Sequence, residues 1–229
     1  VKITAANIIS GGAFKTDNEL VVDSKGKIIS ADFEGKTVDI TAKGDIVASN
    51  VHAVNNASII SEGELDGLTV LAEGKELVDD VDAIVARGTW IVGGEYIAEN
   101  GNITAEATVG SIVSAIILAK AGETQITVNA AQELDGVVIA TPGDIELNAY
   151  GITGGLYVSE HGNIELTATG EDISGVYAKS KEGYVVITTE NGKDIIGTTA
   201  DAYTYAYIVA SGNVIDSAAV SETDEAKIQ

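Results

Sequence analysis

A glycine followed by a short alternating strand recurs along this chain about every twenty residues. Gly44 opens Gly-Asp-Ile-Val-Ala, Gly101 opens Gly-Asn-Ile-Thr-Ala, and Gly122 opens Gly-Glu-Thr-Gln-Ile-Thr-Val. Gly143 opens Gly-Asp-Ile-Glu-Leu-Asn-Ala, Gly162 opens Gly-Asn-Ile-Glu-Leu-Thr-Ala, and Gly183 opens Gly-Tyr-Val-Val-Ile-Thr-Thr, with Gly63 a looser match. The intervals from Gly44 are 19, 38, 21, 21, 19 and 21 residues, and the 38 is two units of 19 with a blurred junction near Asp79 to Asp82. A fixed period of this size marks an architecture built by stacking one small unit on the next.

A second glycine-led strand recurs inside each unit, as in Gly67-Leu-Thr-Val-Leu-Ala, Gly136-Val-Val-Ile-Ala and Gly155-Leu-Tyr-Val-Ser. Each unit therefore reads as strand, small turn, strand, polar glycine turn. Apolar residues fall on alternate positions, which predicts one buried face and one wet face per strand. Leu77 to Ala86 has a weak helical period and reads as one short helix or an irregular coil. Elsewhere β-branched residues and frequent glycine disfavour helix.

Two all-β architectures accommodate short strands at regular spacing: a parallel β-solenoid, and an antiparallel β-sandwich. Repetition in one sense favours the solenoid, with about ten coils of ~20 residues. Equivalent residues should then stack as ladders, with Ile145, Ile164 and Val186 in one and Leu147, Leu166 and Thr188 in another. The chain is expected to be one domain over 1–229, with irregular coils over 1–43, regular coils over 44–192, and terminal coils with a polar tail over 193–229.

The phrases at Gly143 and Gly162 resemble the repeats of filamentous haemagglutinin-type adhesins, best between Gly101 and Gly192. That resemblance implies a right-handed parallel β-helix on a cell surface. The chain opens on Val1 rather than methionine, which agrees with an exported, processed protein.

Charge and composition narrow the partners. The 35 acidic against 13 basic residues give a net charge of −22. A phosphate backbone needs Lys and Arg to displace its counterions, so nucleic acid is an unsuitable partner. No apolar run is long enough to span a bilayer as a helix. The absence of cysteine removes disulfides and thiolate chemistry.

Little in the chain points to catalysis. His161-Gly162 is reminiscent of polysaccharide hydrolases, but the accompanying Arg-x-Lys is missing and Arg87 is the sole arginine. His161 and His52 read as solvated turn residues, and the chain is not expected to be an enzyme. Asp79, Asp80 and Asp82 cluster at the blurred junction, where hard oxygen donors would suit calcium; a solvated acidic turn is the alternative. Glu146 and Glu165 should stack one coil apart facing solvent, a repulsion that a bridging cation would relieve. Asn56-Ala-Ser58 and Asn102-Ile-Thr104 are glycosylation acceptor triplets. Tyr203, Tyr205 and Tyr207 should share one strand face, as a large-residue cap or as an aromatic ridge for stacking on sugar or a partner.

A rod of such coils has paired sides and two unpaired ends. Val1, Ile3 and Ile8 at one end, and Val214, Ile215 and Val220 at the other, lie in terminal strands with no evident cap. The expected function is a secreted subunit that stacks head to tail into an extracellular fibre, with itself as partner. A surface adhesin or stalk that binds cell-surface or matrix polysaccharide is the alternative, and a polysaccharide-active enzyme a more distant one.

Overall fold

The computed structural model describes residues 1–76, 82–122 and 124–229. Among these, every regular element is a strand, and strands pair in parallel with their equivalents one coil away. The chain is a β-solenoid. Each coil has three strands rather than two: a long one such as Ile164–Ala168, a two-residue one such as Ile173–Ser174, and a four-residue one such as Tyr177–Ser180. Their stacks form a first, second and third wall. The third wall is an 11-stranded sheet from Ala13–Lys15 to Ala218–Ser221. The first wall continues one strand further, because Ala226–Ile228 pairs with Ala206–Val209. The tail expected to be merely polar therefore ends in a paired strand.

The second wall separates two kinds of glycine turn that look alike in the sequence. Ile46 and Leu65, which follow Gly44 and Gly63, stack in the second wall. Ile145 and Ile164, which follow Gly143 and Gly162, stack in the first. A two-residue strand is too short to show alternation, so its glycine turn looks like the start of a long one. Its buried residue is nonetheless the most regular in the molecule. Ile9, Ile28, Ile46, Leu65, Ile91, Ile112, Leu134, Ile152, Ile173, Ile195 and Val214 form one continuous aliphatic ladder.

On the first wall the ladder is Ile145, Ile164, Val185, and beside it Leu147, Leu166, Ile187. Val186 and Thr188 face outward instead, one residue out of phase with the sequence expectation. Counting from the glycine restores the phase, since Ile145, Ile164 and Val185 each lie two residues past their glycine. Asp82–Gly88 is a first-wall strand rather than part of a helix, and residues 77–81 lie outside the described set.

The interior of the third wall is filled by volume exchange within each coil. Tyr157 is fully buried, and a Cβ on Gly155 would stand 2.5 Å from its hydroxyl. Gly12 lies likewise against the Phe14 ring and Gly94 against the Tyr96 ring. Where the third-wall residue shrinks to Ala178 or Ala200, the residue two before it grows to Val176 or Thr198, all buried. Small-then-large and large-then-small pairs thus occupy the same space, as dense packing requires.

The turns are pinned to the coil before. Ser159 Oγ donates to the Gly143 carbonyl at 2.7 Å and accepts the Gly162 N–H at 2.9 Å. Ser180 repeats this with the Gly162 carbonyl and the Gly183 N–H. The turn glycines stack so closely that a Cβ on Gly162 would lie 2.3 Å from the Gly143 carbonyl carbon. After each second-wall strand one residue takes a left-handed conformation. It is glycine in most coils, but Ser30, Ala48, Ser114 and Asp216 hold the same place with φ of 46–54°.

Candidate interaction surfaces

The two ends expose what every other coil hides. Ile228 stands in register on Ile208, which stands on Ile187. Ile228 is 47% exposed while Ile208 and Ile187 are 0% exposed. At the opposite end Val1 is 64% exposed, and Ile3, Ala5 and Phe14 are only partly buried against the core. Phe14 stacks on Phe33 with centroids 5.4 Å apart, so a ring closes the third-wall ladder there, whereas Ala219 closes it at the other end. Of the expected end residues, Ile3 and Val214 continue inward ladders, and Val1 precedes the first paired residue. Ile8, Ile215 and Val220 sit on the outer surface. Ala5, Phe14, Ala219 and Ile228 complete the inward set, and their phase was the signal that could have found them.

The outer face of the first wall is polar and largely satisfied by its own neighbours. Glu146 and Glu165 are adjacent and exposed, as their spacing indicated. Neutral donors surround them: Glu146 accepts from Asn148 Nδ2 at 3.1 Å and Gln125 Nε2 at 3.4 Å, and Glu165 accepts from the Tyr184 hydroxyl. That bond to a carboxylate pushes the Tyr184 hydroxyl pKa well up. Tyr184 stacks on Tyr205 in the next coil, 4.7 Å and 8° apart, and Tyr207 leans on Tyr205 at 4.9 Å. The aromatic cluster is therefore Tyr184, Tyr205 and Tyr207. Tyr203 and Tyr205 lie in the turn before the strand rather than on its face.

Ion pairs also run from coil to coil. Lys27 meets Asp45 at 2.6 Å, Arg87 meets Glu106 at 2.6 Å and Lys179 meets Asp201 at 2.8 Å. Among the described residues every Lys and Arg except Lys2 and Lys227 lies within bridging distance of a carboxylate. These pairs lie in water and are screened by it, so each adds little to stability. Asp45 is held below the usual carboxylate range by Lys27 and the Glu64 N–H. Asp39 and Asp82 are pushed up, chiefly by burial.

The outer face of the third wall differs. Its two outward columns read Leu71, Ile97, Leu118, Ala140, Val158 and Ile116, Val138, Leu156, Tyr177. Leu156 is 41% and Tyr177 39% exposed, and the rest are shielded only on their flanks by the coils above and below. From Thr69 to Val158, Glu95 is the one charged residue among the outward positions. Alternation located this face on the outside and, by assuming the outside to be wet, concealed its character.

The remaining candidates are dispersed. Asp79 and Asp80 lie outside the described residues, and Asp82 accepts from Thr104 Oγ1 with both carboxylate oxygens at 3.2–3.3 Å. Among the described residues no group of three or more His, Asp or Glu side chains is placed to hold a metal ion. Asn56 lies in the turn before a first-wall strand and is half-buried; Asn102 begins such a strand, and its Oδ1 accepts the Gln125 N–H at 2.8 Å. His52 is an outward strand residue rather than a turn residue, 2.9 Å from Glu73; His161 is in a turn, 3.0 Å from Glu182. A polar groove runs along the turns between the third and first walls, past Lys120, Asp144 and His161. Asp144 is the one carboxylate among its described lining residues, and it is held by the Asn163 N–H at 2.7 Å. No helix among the described residues is long and apolar enough to cross a membrane.

No family model, no curated protein and no solved structure matches this chain.

Proposed function

We propose that this protein is a structural rod that associates end to end with copies of itself, as a subunit of an extracellular filament or surface fibre. The observation that carries the reading is the Ile187–Ile208–Ile228 ladder, sealed for two rungs and open at the third. An open rung leaves an apolar side chain in water beside unpaired strand N–H and C=O groups, and another coil of the same kind satisfies both. Because head and tail are different surfaces the contact is heterologous, and stacked along the solenoid axis it continues as an open filament rather than a ring. The extracellular location rests on the adhesin-like repeats alone.

The ends of a polypeptide of these 229 residues are not flush. The first wall holds one strand more than the third, so a following copy brings Lys2–Ala5 to a place that Ala226–Ile228 already fills. Replacing Ile3 and Ile228 by lysine tests end-to-end association directly. The unsubstituted protein should grow into filaments seen by electron microscopy, and the double variant should stay as short rods with an unchanged circular dichroism spectrum. Filaments that form equally well from the double variant would refute the reading.

A surface stalk that binds cell-surface or matrix polysaccharide is favoured by a different observation, the Tyr184–Tyr205–Tyr207 stack beside Glu165. Half-buried rings that keep an edge in water, beside a carboxylate, suit a sugar face and its hydroxyls.

A further inference from the structure

We infer that the outer face of the third wall is a docking surface for the same face of a second copy, with the two solenoids running antiparallel. The apolar block spans six successive coils, from Leu71 to Tyr177, and lies near the middle of the eleven-stranded wall. Nothing among the described residues covers it, although the same wall's inner side chains are sealed.

A second copy fits for three reasons. The first is shape. The face is a regular sheet with its outward side chains in two columns, and two such sheets interdigitate about 10 Å apart. The second is area. In the antiparallel pairing ten of the eleven strands face the other copy, and ten strands at ~4.8 Å by four residues at ~3.3 Å give about 630 Å² per copy, somewhat under the roughly 800 Å² per partner of a standard complex. The third is charge, which also sets the direction. In a parallel pairing the coil of Asp32, which no Lys or Arg neutralises, would face the same coil of the other copy, whereas Glu34 and Asp201 are already paired with Lys15 and Lys179. In the antiparallel pairing about the middle of the block, the coil of Asp32 and Glu34 faces the uncharged outward residues Ala218 and Val220. The charge of −22 on each copy still opposes approach, so added salt should tighten the pair.

This surface is independent of the ends. Side pairing doubles the width of a particle, whereas end stacking adds to its length, so electron microscopy separates failure of one from failure of the other.

The absence of native cysteine permits a clean test on the full chain. Leu118 lies beside the expected twofold axis, while Leu71 lies opposite the coil of Tyr177. Leu118→Cys should therefore form a disulfide-linked dimer under mild oxidant, in a yield that rises with salt. Leu71→Cys alone should not, but should crosslink when mixed with Lys179→Cys. Crosslinking of Leu71→Cys to itself would overturn the antiparallel arrangement. Absence of a Leu118→Cys dimer, with sedimentation showing single-width particles at 0.5 M salt, would overturn the pairing and leave the face to an unlike partner.

Discussion

The first and third walls share a backbone geometry and an alternating pattern, yet their outer faces are chemically unlike. On the first wall Gln125 donates to Glu146 and Tyr184 to Glu165 across coils, and Asn148 to Glu146 within its strand, so the surface is closed upon itself and hydrated. On the third wall Leu118, Ala140, Leu156 and Val158 offer no polar group to water or to a neighbouring coil. The contrast teaches that strand alternation separates inside from outside but does not say what the outside meets. A face that cannot satisfy itself is where a partner gains most.

Breaking both walls together is the largest effect expected. Gly162→Ala puts a methyl group into the Gly143 backbone at the turn that both walls share, and it should cost about 3 kcal/mol in urea unfolding. A loss under 0.5 kcal/mol would mean the turn column is loose. Next, Leu118→Thr together with Leu156→Thr should leave stability within about 0.5 kcal/mol, since both point outward. The same pair should weaken side-by-side association at least tenfold by sedimentation, whereas Thr127→Ala on the first wall should leave association unchanged.

Acidity sharpens the same comparison. Asp39 and Asp82 have raised values, so they destabilise the fold at neutral pH and that cost is relieved as pH falls through their shifted range. Asp45 has a lowered value, so its contribution holds above the unfolded value and is lost only as pH falls through its folded one. Between pH 7 and about 5 the fold should hold or gain stability, and third-wall pairing should tighten as net charge falls toward the pI of 4.1. Pairing that weakens over this range would point to an ionic rather than an apolar contact.

Two smaller effects concern single groups. Tyr184→Phe removes the donor to Glu165 and should cost about 1 kcal/mol. It should also make thermal stability respond to millimolar calcium, which the parent, with neutral donors around both glutamates, should ignore. Ala48→Gly should add about 1 kcal/mol by relieving a left-handed alanine. No gain in unfolding midpoint would show that the neighbouring coils already absorb that strain.

Much of this fold was legible in the sequence, because a parallel stack repeats its residues in one sense and glycine marks its corners. The second wall was not, since a strand contributing one buried residue, such as Ile173, leaves no period of two. Nor was the left-handed corner, because Ser30, Ala48, Ser114 and Asp216 occupy it without the glycine that would announce it. The inward phase of Val185 and Ile187 needed the register, which a one-residue miscount reverses. Among the interaction surfaces the open ends could be anticipated from terminal strands. The third-wall face could not, because its aliphatic residues lie in separate repeats and come together only when coils stack.

The most direct test of the account is electron microscopy of the protein at tens of micromolar in near-physiological salt. Particles longer than the roughly 50 Å of one solenoid and two solenoids wide are the predicted result. A uniform population of single rods of 23.5 kDa, unchanged by concentration and salt, would contradict it.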